Sequence, residues 1–262
     1  MARLEIVGGG RMGEAILGGL LDAGWARPDE LVVVERLPTR RAELAERFPG
    51  VGAAERPVPA DGAVIAVKPA DVVPTARDLG EQGVGRILSI AAGVSIGTIE
   101  AALPGTVPVV RAMPNTPALI GFGASAYTGG TAASDDDLTW AETILDAVGT
   151  AVRVTEGQLD AVTGLSGSGP AYVFLVAESL VEAGVLVGLP RDVAEALAEQ
   201  TLRGAAELLI RSDEHPAQLR NAVTSPGGTT AAGLHALEVG GVRAAILSAV
   251  QAATNRATEL DA

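Results

Sequence analysis

A chain of 262 residues is long enough for one large domain or two moderate ones. A net charge of −13, an isoelectric point near 4.6 and the lack of any basic run argue against nucleic-acid binding, and the absence of cysteine excludes disulfides and thiolate catalysis. Two histidines, neither set at ligand spacing from a carboxylate, give no reason to expect a metal site.

The first element is an apolar run, Leu4-Glu5-Ile6-Val7, followed at once by Gly8-Gly9-Gly10-Arg11-Met12-Gly13. A helical stripe of Met12, Ile16, Leu17, Leu20 and Leu21 comes next. Strand, Gly-x-Gly-x-x-Gly and helix in that order specify a dinucleotide-binding turn. Gly8 turns the chain out of the strand, Gly10 leaves no side chain between backbone and pyrophosphate, and Gly13 lets the helix pack close. The amides that open the helix, around Arg11, Met12 and Gly13, face the phosphates with the help of the helix dipole. In a chain with 33 glycines the motif alone is a weak signal, and the flanking strand and helix give it its weight.

Gly24 closes that helix as a C-terminal cap. Leu31-Val32-Val33-Val34 reads as a buried strand ending in Glu35-Arg36, about 20 residues past the glycines, where an adenosine ribose lies in such folds. Glu35 suits the free 2′-hydroxyl of NAD. Arg36, with Arg40 one turn later, suits the 2′-phosphate of NADP. A short charged helix over 38–48, with Leu44 inward, and a weak strand near Val51 follow. Further strands are expected at 63–67, ending in Val67-Lys68-Pro69, at 87–90, ending in Ala91-Ala92-Gly93, and at 107–112, running into Met113-Pro114-Asn115. Strands alternating with helices predict a doubly wound, mostly parallel sheet, an α/β dinucleotide-binding (Rossmann-like) domain over 1–155. Ligands in such sheets sit beyond the carboxyl ends of the strands, so these strand-end segments should share one crevice with Gly8–Gly13. Lys68 reads either as a solvated lysine or as part of that crevice.

From about Thr155 strand patterns vanish, and an all-helical domain is expected over 156–262. Its helices should span about 169–183, 190–210, 217–223, 229–239 and 242–260, with Pro170 and Pro190 in first turns. The most apolar stretch, 171–189, is interrupted by Glu178 and Glu182 and is not expected to span a membrane. With no signal-peptide pattern, the expectation is a cytoplasmic protein. Hydrophobic residues make up 48% of the chain but aromatic residues only 3%, and the mean hydropathy is +0.32. Alanine-rich helices with few large side chains predict a large subunit interface, through the helices at 170–183, 190–210 and 242–260.

Two turns place small and hydroxyl residues at helix starts: Ser166-Gly167-Ser168-Gly169-Pro170 and Ser225-Pro226-Gly227-Gly228-Thr229-Thr230. Either is a helix cap or an anion site built from free amides. Two consecutive glycines before Thr229 favour close approach of a ligand, a carboxylate held by the amides of Gly227, Gly228 and Thr229 with Ser225 helping.

Taken together, 7–13, Ala66-Val67-Lys68-Pro69, Arg111-Ala112-Met113-Pro114-Asn115-Thr116-Pro117, Ser166 to Tyr172 and Val223 to Thr230 resemble pyrroline-5-carboxylate reductase over nearly the whole chain. The resemblance implies reduction of the cyclic imine 1-pyrroline-5-carboxylate to proline, with NADPH as cofactor and NADH also accepted. It implies Thr230 as the catalytic residue at the imine nitrogen, and Lys68-Pro69 with Met113-Pro114-Asn115 beside the nicotinamide. It also implies a homodimer through the helical domain, or five such dimers in a decamer. Two departures stand out: Asn221 and Ala222 precede the Val223 segment, and the stretch between Val51 and Ala63 is short, so adenosine contacts are not placed there. Other readings are a β-hydroxyacid or other imine oxidoreductase and a non-catalytic nucleotide sensor. The first expects a lysine between Tyr172 and Ala183, where there is none. The second has no use for an anion turn at 225–230.

Overall fold

The computed structural model describes residues 1–261. Its elements, in chain order, are β1 (Leu4–Val7), α1 (Arg11–Asp22), β2 (Leu31–Val34), α2 (Pro38–Arg47), β3 (Gly52–Ala54), β4 (Ala63–Ile65), α3 (Pro69–Glu81), β5 (Ile87–Ser89) and α4 (Ile96–Ala102). Then come β6 (Val109–Met113), β7 (Gly123–Gly129), α5 (Asp135–Asp146) and β8 (Gly149–Arg153). The helical half holds α6 (Leu159–Val162), α7 (Gly169–Leu186), α8 (Arg191–Arg211), α9 (Pro216–Ala222), α10 (Thr229–Val239) and α11 (Val242–Asp261).

The strands form one eight-stranded sheet in the order β3-β2-β1-β4-β5-β6-β7-β8. Pairing is parallel from β3 to β6; β7 runs antiparallel to β6, and β8 parallel to β7. After β1 the chain builds outward through β2 and β3, then returns to place β4 on the other side of β1. That reversal is where such sheets open a ligand crevice. In register, Val7 lies beside Ile65, Ile65 beside Ser89, and Ser89 beside Arg111. The segments after β1, β4, β5 and β6 therefore leave the sheet along one edge.

Strand alternation sends Leu4 and Ile6 to one face, where they pack with Ile16, Leu17 and Leu20 of α1 and with Ile144 and Leu145 of α5. Val7 and Ile65 face the other way, against Val72, Ala76 and Leu79 of α3 and Ile99 of α4. Among the α1 residues of the expected stripe, Ile16, Leu17 and Leu20 are fully buried. Gly24, at φ +64°, follows the helix, and the Trp25 N–H donates to the Leu20 carbonyl.

Glu5 shares the second face and is fully buried. One carboxylate oxygen accepts the Val58 N–H at 3.0 Å, and the other has no hydrogen-bond partner. Burial pushes this carboxyl up to about 7, with the Val58 hydrogen bond pulling the other way. A carboxyl raised in the folded state keeps a proton that the unfolded chain has lost. Its stabilisation is therefore complete below the ordinary carboxylate range and is lost as pH rises toward 7. We expect stability to fall by on the order of 2–3 kcal/mol across that window from this group. Glu5→Gln should flatten that part of the pH profile of thermal unfolding; parallel profiles for the two proteins would remove Glu5 as the source.

Contacts divide the chain into two units, 1–168 with 251–262, and 169–250. α7, α8, α9 and α10 thus belong to the second unit, while the last turns of α11 belong to the first. In the second unit the buried side chains among the described residues are Ala194 and Ala198. Val173, Phe174, Leu175, Leu186, Leu208, Ile210 and Val239 are all exposed. By length and composition alone, residues 156–186 are apolar enough to cross a membrane, at a mean hydropathy of 1.4, and the bent pair α10–α11 passes the same test.

Candidate active site and cofactor cleft

A cleft of about 850 Å³ opens at the strand-order reversal. It is bounded by Val7, Gly8 and Gly10, by Val34 to Leu37 after β2, by Glu55, Arg56 and Pro57 after β3, and by Ala66, Val67, Lys68 and Asp71 after β4. Pro74, Thr75 and Asp78 of α3 complete it.

The three motif glycines have separate local causes. Gly8 stands at φ +110°, and a Cβ on it would come within 2.5 Å of the Ala66 carbonyl oxygen. A Cβ on Gly13 would overlap the Gly8 carbonyl oxygen. A Cβ on Gly10 would meet nothing within 4 Å. Gly8 and Gly13 are thus required by the fold, whereas Gly10 is open. Gly10 is also the N-cap of α1 and makes no side-chain cap, so the helix-start amides face open space. That is a cradle shaped for a backbone-bound phosphate.

Glu35 lines the cleft, yet both its oxygens are engaged: one accepts the Gly9 N–H at 3.1 Å and the other the Leu37 N–H at 2.9 Å. It fastens the glycine loop to the end of β2. Arg36 lines the same cleft and pairs with Asp71 at 3.0 Å. Arg40, expected beside Arg36, points elsewhere: its guanidinium donates to the Gly9 carbonyl at 2.8 Å and pairs with Glu14 and Glu43. The reason is packing, because α2 turns that residue back over α1. Arg41 instead holds the end of β2, donating to the carbonyls of Glu35 and Arg36 at 2.7 and 2.8 Å.

Val67, Lys68 and the N-terminal turn of α3 border the cleft, with Pro69 the first residue of α3 after Lys68 as N-cap. Arg11, Met12, Gly13, Pro69, Ala91, Ala92, Gly93, Met113, Pro114 and Asn115 are not among its lining residues; the last six lie further along the same sheet edge. Gly93 adopts φ +70°. Asn115 is buried and bridges two backbones: its amide donates to the Ser166 carbonyl at 3.0 Å and accepts the Ala124 N–H at 2.9 Å. It fixes the Met113-Pro114 loop. Arg111, buried on β6, pairs with Glu156, whose carboxylate also accepts the Ile96 N–H at 2.7 Å.

The two hydroxyl-rich turns part company in the structure. Ser166–Pro170 is not an open helix start. Residues 163–167 form a π turn that feeds α6 into α7, the Ser168 N–H donates to the Thr163 carbonyl at 2.8 Å, and the Ser166 hydroxyl donates to Val162. At 225–230 the Gly228 N–H, expected as an anion donor, is turned inward by the tight turn and donates to the Ser225 carbonyl at 3.1 Å, while the amides that follow it at the start of α10 are free. Gly227 stands at φ +69° with nothing within 4 Å of a built Cβ, and Gly228 is the N-cap of α10 without a side-chain cap. The first intrahelical bond runs from the Ala232 N–H to the Gly228 carbonyl at 3.2 Å. The amides of Thr229, Thr230 and Ala231 precede it and point out of the helix end. Ser225 and Thr229 are exposed, Thr230 half-buried. Neither threonine occupies the capping position. His215, by contrast, is a cap: its Nδ1 accepts the Ala217 N–H at 3.2 Å.

Sequence reading missed the wall formed by Glu55, Arg56 and Pro57, and the roles of Asp71, Thr75 and Asp78. The available signal was the weak strand near Val51. As β3 pairs parallel with β2, whatever follows it must reach the same sheet edge.

The family model for pyrroline-5-carboxylate reductase dimerisation matches residues 156–260, and one described as NADP oxidoreductase coenzyme F420-dependent matches 3–93. The chain is 45% identical to a pyrroline-5-carboxylate reductase from Mycobacterium tuberculosis, covering 99% of this chain and 97% of the relative. It is 44% identical to the Synechocystis reductase, over 98% of both. Among solved structures, the Coxiella burnetii pyrroline-5-carboxylate reductase superposes with a TM-score of 0.93 at 36% identity, over 100% of this chain and 99% of that one. The Plasmodium falciparum enzyme, solved with NADP bound, gives 0.86 at 29% identity, over 100% and 98%. Near-complete mutual coverage at these identities, on a chain whose glycine turn and free α10 start stand as described, places it in the pyrroline-5-carboxylate reductase family.

Proposed function

We propose that this chain reduces 1-pyrroline-5-carboxylate to L-proline with NADPH, accepting NADH as well, as the last step of proline biosynthesis. The observation that carries the reading is the start of α10, where consecutive glycines and the free amides of an uncapped helix start lie next to half-buried Thr230, an arrangement suited to a carboxylate. A nucleotide sensor has no use for such a turn.

Residues 1–155 serve as the dinucleotide-binding domain and 156–262 as the substrate-binding and dimerisation domain. NADPH supplies the hydride from its nicotinamide ring. Gly8, Gly10 and Gly13 with the amides of Arg11 and Met12 hold its pyrophosphate, and Arg36 holds the 2′-phosphate. Glu35 shapes the turn. Val67, Lys68, Pro69, Ala91, Ala92, Gly93, Met113, Pro114 and Asn115 form the rest of the cofactor site along the sheet edge. Ser225 and the amides of Gly227 and Thr229 bind the substrate carboxylate, Gly228 lets it approach by carrying no side chain, and Thr230 orients the imine nitrogen. That nitrogen enters already protonated or takes its proton from water, so hydride addition to the ring carbon yields a neutral amine and no protein acid has to supply the proton. Steady-state oxidation of NADPH dependent on pyrroline-5-carboxylate tests this directly; its absence in the purified chain overturns the proposal.

The protein works in the cytoplasm as a homodimer or as five such dimers in a decamer. The exposed apolar faces of α7 and α8 support a protein interface rather than a lipid-facing surface, since residues 156–260 match a dimerisation model. Light scattering at micromolar concentration should give at least twice the 26.4 kDa chain mass. A stable monomer contradicts the assembly.

A further inference from the structure

We propose that Asp71 is a specificity-determining residue that competes with the 2′-phosphate of the cofactor for Arg36, an inference that rests on NADP(H) binding as proposed above. Asp71 sits in the first turn of α3 and its carboxylate meets the Arg36 guanidinium at 3.0 Å, both groups lining the cleft. Arg36 is 74% exposed and Asp71 36%, so the pair is held on the wet rim of the cleft and opens at little cost.

The surrounding groups fix the direction of the effect. Glu35 is held by the Gly9 and Leu37 amides. Arg41 clamps the Glu35 and Arg36 carbonyls, so the backbone that carries Arg36 is rigid while its side chain is not. Arg56 lines the cleft and makes no ion pair among the described residues. The lining holds Glu35, Glu55, Asp71 and Asp78 against Arg36, Arg56 and Lys68, an acidic excess in a place that must receive a dianion.

A phosphate monoester arriving on Arg36 must displace the Asp71 carboxylate from it. A ribose 2′-hydroxyl needs no such step. Asp71 thus weakens binding of the 2′-phosphorylated dinucleotide while leaving its unphosphorylated counterpart untouched, which narrows the gap between NADPH and NADH. Arg56 gives the phosphate a second cation that has no internal partner to lose.

The test is calorimetric binding of 2′,5′-ADP and of 5′-AMP to the full chain and its variants, with no turnover involved. Asp71→Asn keeps the side-chain shape and should tighten 2′,5′-ADP by about three- to ten-fold, leaving 5′-AMP within about two-fold. 5′-AMP also reports that the variant is folded. Arg36→Ala should weaken 2′,5′-ADP by about ten-fold or more, and adding Asp71→Asn to it should then change nothing. Unchanged 2′,5′-ADP affinity in Asp71→Asn, equal tightening of both ligands, or a gain that persists without Arg36 overturns the inference. A chain that shows the expected binding pattern but does not oxidise NADPH with pyrroline-5-carboxylate overturns the proposed reaction and leaves this inference standing.

Discussion

Replacing Thr230 by alanine should lower kcat by about ten- to a thousand-fold, equivalent to roughly 1.4–4 kcal/mol of transition-state stabilisation. Thr230 is the second residue of α10, behind a glycine N-cap, and its hydroxyl is not part of a cap. Removing it costs the helix nothing, because alanine is the better helix former. The melting temperature should hold while turnover falls, a separation that a capping residue would not give. A threonine hydroxyl is too weak an acid to donate a proton outright at neutral pH, so the contribution proposed for it is orientation of the iminium N–H. The pH profile of kcat should therefore keep its shape in Thr230→Ala. Thr230→Ser, which restores the hydroxyl, should recover most of the rate. Full activity in the alanine variant would falsify the assignment.

Gly13→Ala should be the most damaging single methyl in the cofactor cleft. The added carbon would overlap the Gly8 carbonyl oxygen and press on Ile6, and both obstacles belong to the rigid β1 turn. Overpacking of this kind costs about 1–3 kcal/mol or more, and here it also pushes α1 away from the turn that should hold the pyrophosphate. We expect a lower melting temperature together with at least ten-fold weaker NADPH binding. Gly10→Ala makes the contrast, since its methyl enters open space. Its stability should change by less than about 1 kcal/mol, yet its affinity for NADPH should fall just as far, because the methyl occupies the path of the phosphate. Normal NADPH binding by Gly10→Ala would show that the phosphates lie elsewhere.

The nucleotide-binding half was legible wherever local pattern and tertiary demand agree. Val33 and Ile65 sit in unbroken apolar runs because parallel strands are buried on both faces, and Gly8, Gly10 and Gly13 each leave a separate mark. β7, α5 and β8 were not foreseen. β7 is Gly-Ala-Ser-Ala-Tyr-Thr-Gly, whose small residues carry little strand preference, and its pairing with β6 is set by tertiary contact. In the site, Arg40 and Glu35 show what a charge pattern alone leaves out. Their charge pointed toward a ligand, but packing directed one to Glu14 and the other to the Gly9 amide. The turn at 166–170 misled for a similar reason: its composition is that of a helix start, and only the π turn before it shows that its Ser168 amide is already bonded.

The return of α11 to the first unit bears on how this polypeptide is made. The Thr258 hydroxyl donates to Asp160 at 2.9 Å across a sequence separation of 98 residues, and Ala257 is buried beside it. Closing a loop of that length costs on the order of 4 kcal/mol of chain entropy. The β-sheet can form while later helices are still inside the ribosome, but these last contacts cannot. Until α11 has been added, the sheet can already be paired while Asp160 lacks its Thr258 partner and Ala257 its burial, so the first unit is finished by a helix that follows the second in the chain.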